Sequence, residues 1–515
     1  MRLFFQLSFG VTLLFFSGSS YGRVSNAGVK DTTMLRTILV IFDGLRPDYI
    51  TSDWMPNLYA FSKKAAVGKD NHSVFPTVTR VNAASYVTGA YPSAHGLMGN
   101  SIYLPEINRK ASLNTGNAGN LRHIMTLTSG KLLTAPSLGE ILKTAGEEMF
   151  VYSSGTTGQA FLQNHTANGA VINPDLILPK SFRSELAVTL GPPPEEATPN
   201  KARHQWITDA LCHYTLTSGG PLVSAIWFSD PDGTAHKNGI GVPSTIAALQ
   251  DVDLQFGRII DSIRVRGLEP FFNIVVTADH GFITHQGKTG LRHFLIEQGL
   301  KKRIDADDVV VADGAVYVKG HDPESIRRIV TTLQEQEWVG AIFTKAVKPG
   351  SMQGSVKGTL SFESIHWNHP QRAADILVAV NWNNRKDSLG NTGIDFAEGK
   401  AGHGGSSTYE IRIPLMAYGP SFKQGIESKL PTSNIDIVPT ILHIHQISQP
   451  QQIQGRVMFE LLKSSSAKPL APKKEMISSE AILKEGKYRV MLERTLLGKN
   501  SYINSVRVIR VKNTK

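Results

Sequence analysis

Residues 36–44 read RTILVIFDG, a continuous apolar run closed by Asp43-Gly44. An uninterrupted run of that length suits a strand buried on both faces, the position strands occupy in a parallel sheet covered by helices. The pattern returns in MFVYSSG (149–155), LVSAIWFSD (222–230), FNIVVTADHG (272–281) and IPLMAYG (413–419). Between two of these runs, Pro243 to Arg264 sets Ile246, Leu249, Val252, Leu254, Phe256, Ile259, Ile260 and Ile263 along a helix that opens on proline. Strands alternating with helices predict an α/β fold, a mostly parallel sheet flanked by helices.

Working outward, two stretches break the rhythm. Residues 101–148 and 156–220 are rich in Asn, Gly, Thr and Pro and read as long surface excursions. Residues 300–400 carry a strand, helix, strand pattern of their own and read as a small inserted α+β cap. That leaves 23–299 and 401–460 as the core. Residues 461–515 form a C-terminal extension ending in two strand-like runs, KYRVMLERTLL and SVRVIRV. The first 22 residues pair a basic start at Arg2 with a short apolar run and small residues before Gly22, the pattern of a secretory signal peptide. The expected location is extracytoplasmic, periplasmic or secreted, with no transmembrane helix in the mature form, since no later run reaches the ~18 apolar residues a span needs.

The chain has 515 residues, 41% hydrophobic and 19% charged, which excludes a disordered polymer. A net charge of +11 favours anionic ligands. The Lys and Arg residues are scattered, with no basic, aromatic-studded stripe, so a nucleic-acid-binding module is not expected. Cys212 is the single cysteine. An intramolecular disulfide and a cysteine-built zinc site are therefore impossible.

In open parallel sheets, sites form beyond the carboxyl ends of the strands. Here those ends carry Asp43, then Asp232 and His236 in DPDGTAH, then Asp279-His280, with His403 in GHGG before the last run. One Asp-Gly alone reads as a turn. Oxygen and nitrogen donors at several strand ends together read as a site. Upstream lies VFPTVTRVNAASYVTGAYPSAHG (74–96), in which Thr79 begins a helix with Asn82 three residues on. Thr79 fits an N-cap; it also fits a nucleophile held where helix amides attract an anion.

The ordered set DG, PTxT with Asn three residues later, YPxxHG, DPDxxxH, DHG and GHGG resembles the alkaline phosphatase superfamily, in particular its type I phosphodiesterase/nucleotide pyrophosphatase branch. The resemblance runs from about residue 36 to 445. It implies two zinc ions per chain, one held by Asp232, His236 and His403, the other by Asp43, Asp279 and His280 with Thr79. It further implies Thr79 as nucleophile, a phosphothreonine intermediate, and Asn82 as the side chain that hydrogen-bonds a phosphate oxygen. Residue type alone also admits manganese or iron. The implied substrate is a small phosphorylated molecule, a nucleotide among the candidates.

The chain departs from that pattern at one place. Nucleotide pyrophosphatases resemble Thr-Phe-Pro-Asn at the nucleophile, and here Thr79-Arg80-Val81-Asn82 lacks the Phe-Pro. Arg80 suits either a solvated first-turn residue or a charge beside phosphate that favours a monoester or phosphonate. Phosphonate or phosphomonoester hydrolysis at the same site is therefore a second reading, and a catalytically silent binding protein a third. His95 and Cys212 read as structural, and His285 as a reserve ligand.

Overall fold

The computed structural model describes residues 34–464 and 470–512, so the signal-peptide reading of residues 1–22 lies outside the described residues. The main sheet is built from β1 (Arg36–Phe42), β2 (Ala66–His72), β3 (Met149–Ser153), β4 (Gly169–Asn173), β5 (Leu176–Leu178), β6 (Val223–Phe228), β7 (Phe272–Ala278), β8 (Arg412–Ile413), β9 (Leu415–Tyr418) and β10 (Ile426–Ser433). Its order is β8-β2-β9-β7-β1-β6-β3-β4-β5, with β10 paired to β2. At the centre, β7, β1, β6, β3 and β4 run parallel. The fold is the α/β arrangement the apolar runs predict, with one correction: β9 runs antiparallel to both β7 and β2.

Alternation along β1 feeds two cores. Ile38, Val40 and Phe42 pack on one side of the sheet with Leu249, Val252, Phe256 and Ile259. Leu39 and Ile41 face the other side with Ala83, Val87 and Trp227. The helices that position the site are α1 (Thr79–Thr88), α2 (Lys201–Tyr214), α3 (Asp232–Asn238) and α4 (Pro243–Val265). In α4 Leu249, Val252, Phe256, Ile259 and Ile263 of the predicted stripe are buried, Ile246 and Ile260 are half-buried, and Leu254 is 55% exposed because it follows Val252 by two positions and so turns off the buried face. Cys212 sits partly buried in α2 against Ser262.

The excursions are not loose surface chain. Residues 101–220 supply the helices Ala118–Leu127, Leu138–Thr144 and Thr157–Gln163 as well as α2. Leu121, Ile124, Leu138 and Phe161 enter the core from them. Their caps are polar, which is why the sequence looks loop-like: Ser137 and Glu140 form a capping box, and Asn117 and Thr156 each accept from a first-turn amide.

The insert has its own sheet of five strands, Val309–Ala312, Ala315–Val318, Val339–Thr344, Leu360–Ser361 and Ile376–Val380, with helix Pro323–Gln334 between the second and third. That sheet ends at Val380, earlier than the predicted boundary at 400. Strands Trp382–Lys386 and Thr392–Asp395 return to the core and form a separate sheet with Ile283–His285 and Ala401–Gly402. The C-terminal extension has three strands instead of two: Lys473–Leu483, Gly486–Leu497 and Asn500–Lys512. It bridges insert and core, since Tyr488 Oη donates to the Gly340 carbonyl at 2.7 Å and Tyr502 Oη donates to Asp436 at 3.0 Å. Among the described residues, no helix is long and apolar enough to cross a membrane.

Candidate active site

The sheet delivers the predicted side chains to one edge. Asp43 follows β1, Asp232 and His236 lie on α3 just after β6, and Asp279-His280 follow β7. His403 arrives directly after Ala401–Gly402. Gly44 is required at its position: its φ is +74°, and a Cβ there would lie 2.9 Å from the Phe282 ring and 3.1 Å from Asp232 Cβ.

The side chains form two sets, Asp232/His236/His403 and Asp43/Asp279/His280, each with one donor atom per residue inside a 4.8 Å sphere of mutual distance. The sets adjoin, for the His280 and His403 rings stack with centroids 3.5 Å apart. Each histidine is oriented from behind. The Nδ1 atoms of His236, His280 and His403 lie 3.0, 3.0 and 2.8 Å from the carbonyls of Ala401, Gly281 and Thr77. A carbonyl only accepts, so each Nδ1 carries the hydrogen and each Nε2 presents a lone pair.

Those lone pairs face carboxylate oxygens. His236 and His403 Nε2 both lie 3.3 Å from Asp232 Oδ1, and His280 Nε2 lies 3.0 Å from Asp279 Oδ2. Asp232 Oδ1, Asp279 Oδ2 and Asp43 Oδ1 are buried and have no hydrogen-bond partner. Acceptors crowded on acceptors, with buried orphan oxygens, fit a pair of cations. Mixed imidazole and carboxylate donors suit zinc.

The acids also pull against one another. Burial, then the Asp279 and Asp232 carboxylates, push the Asp43 carboxyl well above its ordinary range. Burial also opposes ionisation of Asp232, but His236 and His403 outweigh it and hold that carboxyl well below. Burial and His280 push His403 down to about 4. The remaining partners are fixed: Asp43 Oδ2 accepts from Trp227 Nε1 at 2.9 Å, and Asp279 Oδ1 accepts from the Gly44 and His280 amides at 3.1 and 2.9 Å.

Thr79 stands at the first position of α1, 3% exposed, with Oγ1 3.2 Å from His280 Nε2. The cap residue is Val78, and no side chain caps this helix. The hydroxyl is therefore not spent on capping.

Asn82 does not reach the site. It is 0% exposed, its Oδ1 accepts from Val74 N and Asn434 Nδ2 at 2.8 and 3.1 Å, and its Nδ2 donates to the Val74 and Val78 carbonyls at 3.0 and 3.3 Å. Every hydrogen-bonding position is occupied in holding the turn that leads into α1. The amide beside Thr79 is Asn100, whose Oδ1 accepts from Arg80 N at 3.1 Å. Asn100 lines both cavities that open beside the two sets. Its place results from a close approach across a turn, and Gly99-Asn100 carries no local sequence signal beyond turn composition.

The first cavity, about 320 Å³, is lined by Thr79, Arg80, Asn100, Gln159, Asn200 and Ser229. The second, about 400 Å³, lies between His236, His403 and the insert and is lined by Phe75, Met98, Trp338 and Leu377. His285 lies beside Gly402, close to His236 of the Asp232/His236/His403 set, its Nδ1 2.6 Å from Asp395 Oδ1. His95 is structural, bonded to Ser85 Oγ and the Leu97 amide at 3.0 Å each.

Residues 37–394 match the family model of type I phosphodiesterase/nucleotide pyrophosphatase. The chain is 22% identical over 445 residues to bis(5'-adenosyl)-triphosphatase ENPP4 of Bos taurus, covering 84% of this chain and 82% of that protein. It is 27% identical over 247 residues to ectonucleotide pyrophosphatase/phosphodiesterase family member 3 of Mus musculus, covering 47% of this chain but only 24% of that longer protein. Among solved structures, it is similar to murine ectonucleotide pyrophosphatase/phosphodiesterase 5, in an inactive threonine-to-alanine variant complexed with AMP. The TM-score is 0.59 at 18% identity, over 83% of this chain and 100% of that one, a likeness of fold. The chain belongs to the type I phosphodiesterase/nucleotide pyrophosphatase family.

Proposed function

We propose that this chain is an extracytoplasmic hydrolase that cleaves phosphodiester or phosphoanhydride bonds through a covalent intermediate on Thr79. One observation carries the reading: three imidazole Nε2 lone pairs converge with three orphaned, buried carboxylate oxygens beside the Thr79 hydroxyl. Asp232, His236 and His403 would hold one zinc ion, and Asp43, Asp279, His280 and Thr79 a second. Zinc bound there supplies Lewis acidity, lowering the pKa of the threonine hydroxyl and offsetting the charge of the phosphoryl oxygens.

The protein's own groups supply position. Thr79 Oγ1 attacks phosphorus; the Thr–O–P bond forms as the bond to the leaving group breaks. Asn100 Nδ2 donates to a non-bridging oxygen, and the N-terminal end of α1 favours the same negative charge. The cavity on the His236/His403 side receives the leaving group. Water then cleaves the Thr–O–P bond and restores the hydroxyl, so two in-line displacements give net retention at phosphorus.

Nitrophenol release by the zinc-loaded full chain, with phosphate release for phosphonoacetate, tests this. Bis(p-nitrophenyl) phosphate should be hydrolysed faster than p-nitrophenyl phosphate or phosphonoacetate. A faster monoester or phosphonate overturns the diester preference, and no turnover with both metals bound overturns the enzyme.

A further inference from the structure

We propose that the cavity beside Thr79 is a subsite for a non-aromatic, polyhydroxylated alcohol, a polyol or sugar esterified to the scissile phosphate. The proposal rests on the phosphodiester reading above and names the substrate class of that site.

The lining of this cavity contains no Phe, Tyr or Trp. The only rings among the described residues of the lining are the His236 and His403 imidazoles of the donor set, so a nucleobase would find no free ring to stack on. Hydroxyls and amides line it instead, and a hydrogen-bond account shows which still lack partners. Ser229 Oγ is committed, with His204 Nε2 at 3.4 Å, Asn200 Nδ2 at 3.2 Å and Ser154 Oγ at 3.2 Å. His204 is in turn fixed by Asp251, 2.8 Å from its Nδ1. Arg203 is spent on Asp175 through contacts of 2.8 and 3.2 Å. Thr156 Oγ1 accepts from Arg80 Nη2 at 3.3 Å.

Gln159 and Arg80 are left over. Gln159 is 1% exposed; its Oε1 accepts from Ser153 Oγ at 2.5 Å, while its Nε2 has no partner among the described residues. Arg80 Nε is likewise buried and unpartnered. Unspent donors stay costly until something accepts from them, so a ligand that draws these two side chains toward the cavity must bring acceptor oxygens. Asp175 and Glu196, also lining the cavity, are 53% and 77% exposed. Asp175 is paired with Arg203, which leaves the Glu196 carboxylate the more open acceptor for hydroxyls. Donors inside and acceptors outside match an alcohol that does both. At about 320 Å³, the cavity falls at the small end of the ~300–1,000 Å³ of ligand pockets.

The test compares p-nitrophenyl phosphodiesters of glycerol and glucose with that of thymidine, using the zinc-loaded full chain, with bis(p-nitrophenyl) phosphate reporting the chemistry alone. The polyol esters should exceed the thymidine ester in kcat/KM by at least about tenfold, and Gln159→Leu should reduce that preference at least about fivefold. Equal or better use of the thymidine ester overturns the proposal, as does a folded Gln159→Leu protein with an unchanged preference. Should that variant fail to fold, the wild-type ratio and its change in Arg80→Met decide. If none of the diesters is cleaved, including the bis(p-nitrophenyl) control, the phosphodiester reading fails separately. Calorimetry then decides the subsite: tighter binding of glycerol 3-phosphate than of AMP supports it, and the reverse overturns it.

Discussion

Thr79 Oγ1 lies 3.2 Å from His280 Nε2, and that nitrogen also lies 3.0 Å from Asp279 and 3.6 Å from Asp43. A hydroxyl at the start of a helix thus shares its surroundings with one complete donor set. Thr79→Ala should lower turnover of bis(p-nitrophenyl) phosphate at least about a thousandfold, with zinc content unchanged by elemental analysis. Rapid quench of the wild type with a radiolabelled diester should trap label on Thr79, and peptide mapping of the quenched protein locates it.

The second donor set should be separable from the first. His403→Ala removes one of three donors from the Asp232/His236 group, so zinc per chain should fall from two to one on dialysis. Chelation of both ions from the wild type should lower stability by about 5 kcal/mol, the two-site linkage expected at a free ion concentration near a hundred times the dissociation constant of each site. Unfolding midpoints in urea with and without chelator measure it; an unchanged midpoint would show that the donors hold no ion.

On the proposed mechanism Asn100, and not Asn82, meets the phosphoryl group. Asn100→Ala should cost about a hundredfold in kcat with little change in stability. Asn82→Ala leaves the Val74 amide and carbonyl and the Asn434 amide without their partner. Its main effect should be a loss of about 2–3 kcal/mol in urea unfolding.

Asp436 gives a pH signature away from the site. It is fully buried and accepts from the Arg456 and Ser433 amides and Tyr502 Oη at 2.7, 3.0 and 3.0 Å, yet burial raises its pKa from 3.8 to about 6. Between those values the folded protein keeps a proton that the unfolded chain has released. The contribution of this group is therefore full below its unfolded value and is lost as pH rises through about 6. Asp436→Asn cannot titrate, so the stability of wild type minus variant should fall by about 3 kcal/mol from pH 3.5 to pH 7, measured by urea unfolding at each pH.

What could be read from the sequence was what local chemistry determines. The continuous runs of β1, β3, β6 and β7, and the acids and histidines at their ends, carry the signature of strands buried on both faces of a sheet with a site at its edge. Strand direction is different: β9 has the same apolar look as its neighbours, and only the short link from β8 and its pairing with β2 make it antiparallel. The edge strand Lys473–Leu483 escaped because its apolar residues do not mark a core, with Met476 and Ile482 52% and 83% exposed. The number of residues after Thr79 does not reveal which amide turns inward: Asn82 is hydrogen-bonded within the turn before α1, and Asn100 lies beside Thr79. Folding placed the nearer one in the turn.

The order of the donors along the chain has a consequence for how the molecule is made. Asp43, Asp232, His236, Asp279 and His280 all precede the insert, and His403 follows it. An emerging chain can gather Asp43, Asp279 and His280 as soon as β7 has joined β1. It cannot close the other set until the insert has folded aside and Trp382–Lys386, Thr392–Asp395 and Ala401–Gly402 have come back against Ile283–His285. An ion at that set, as the proposed function requires, would then be captured only by chains whose insert and returning strands have folded into place.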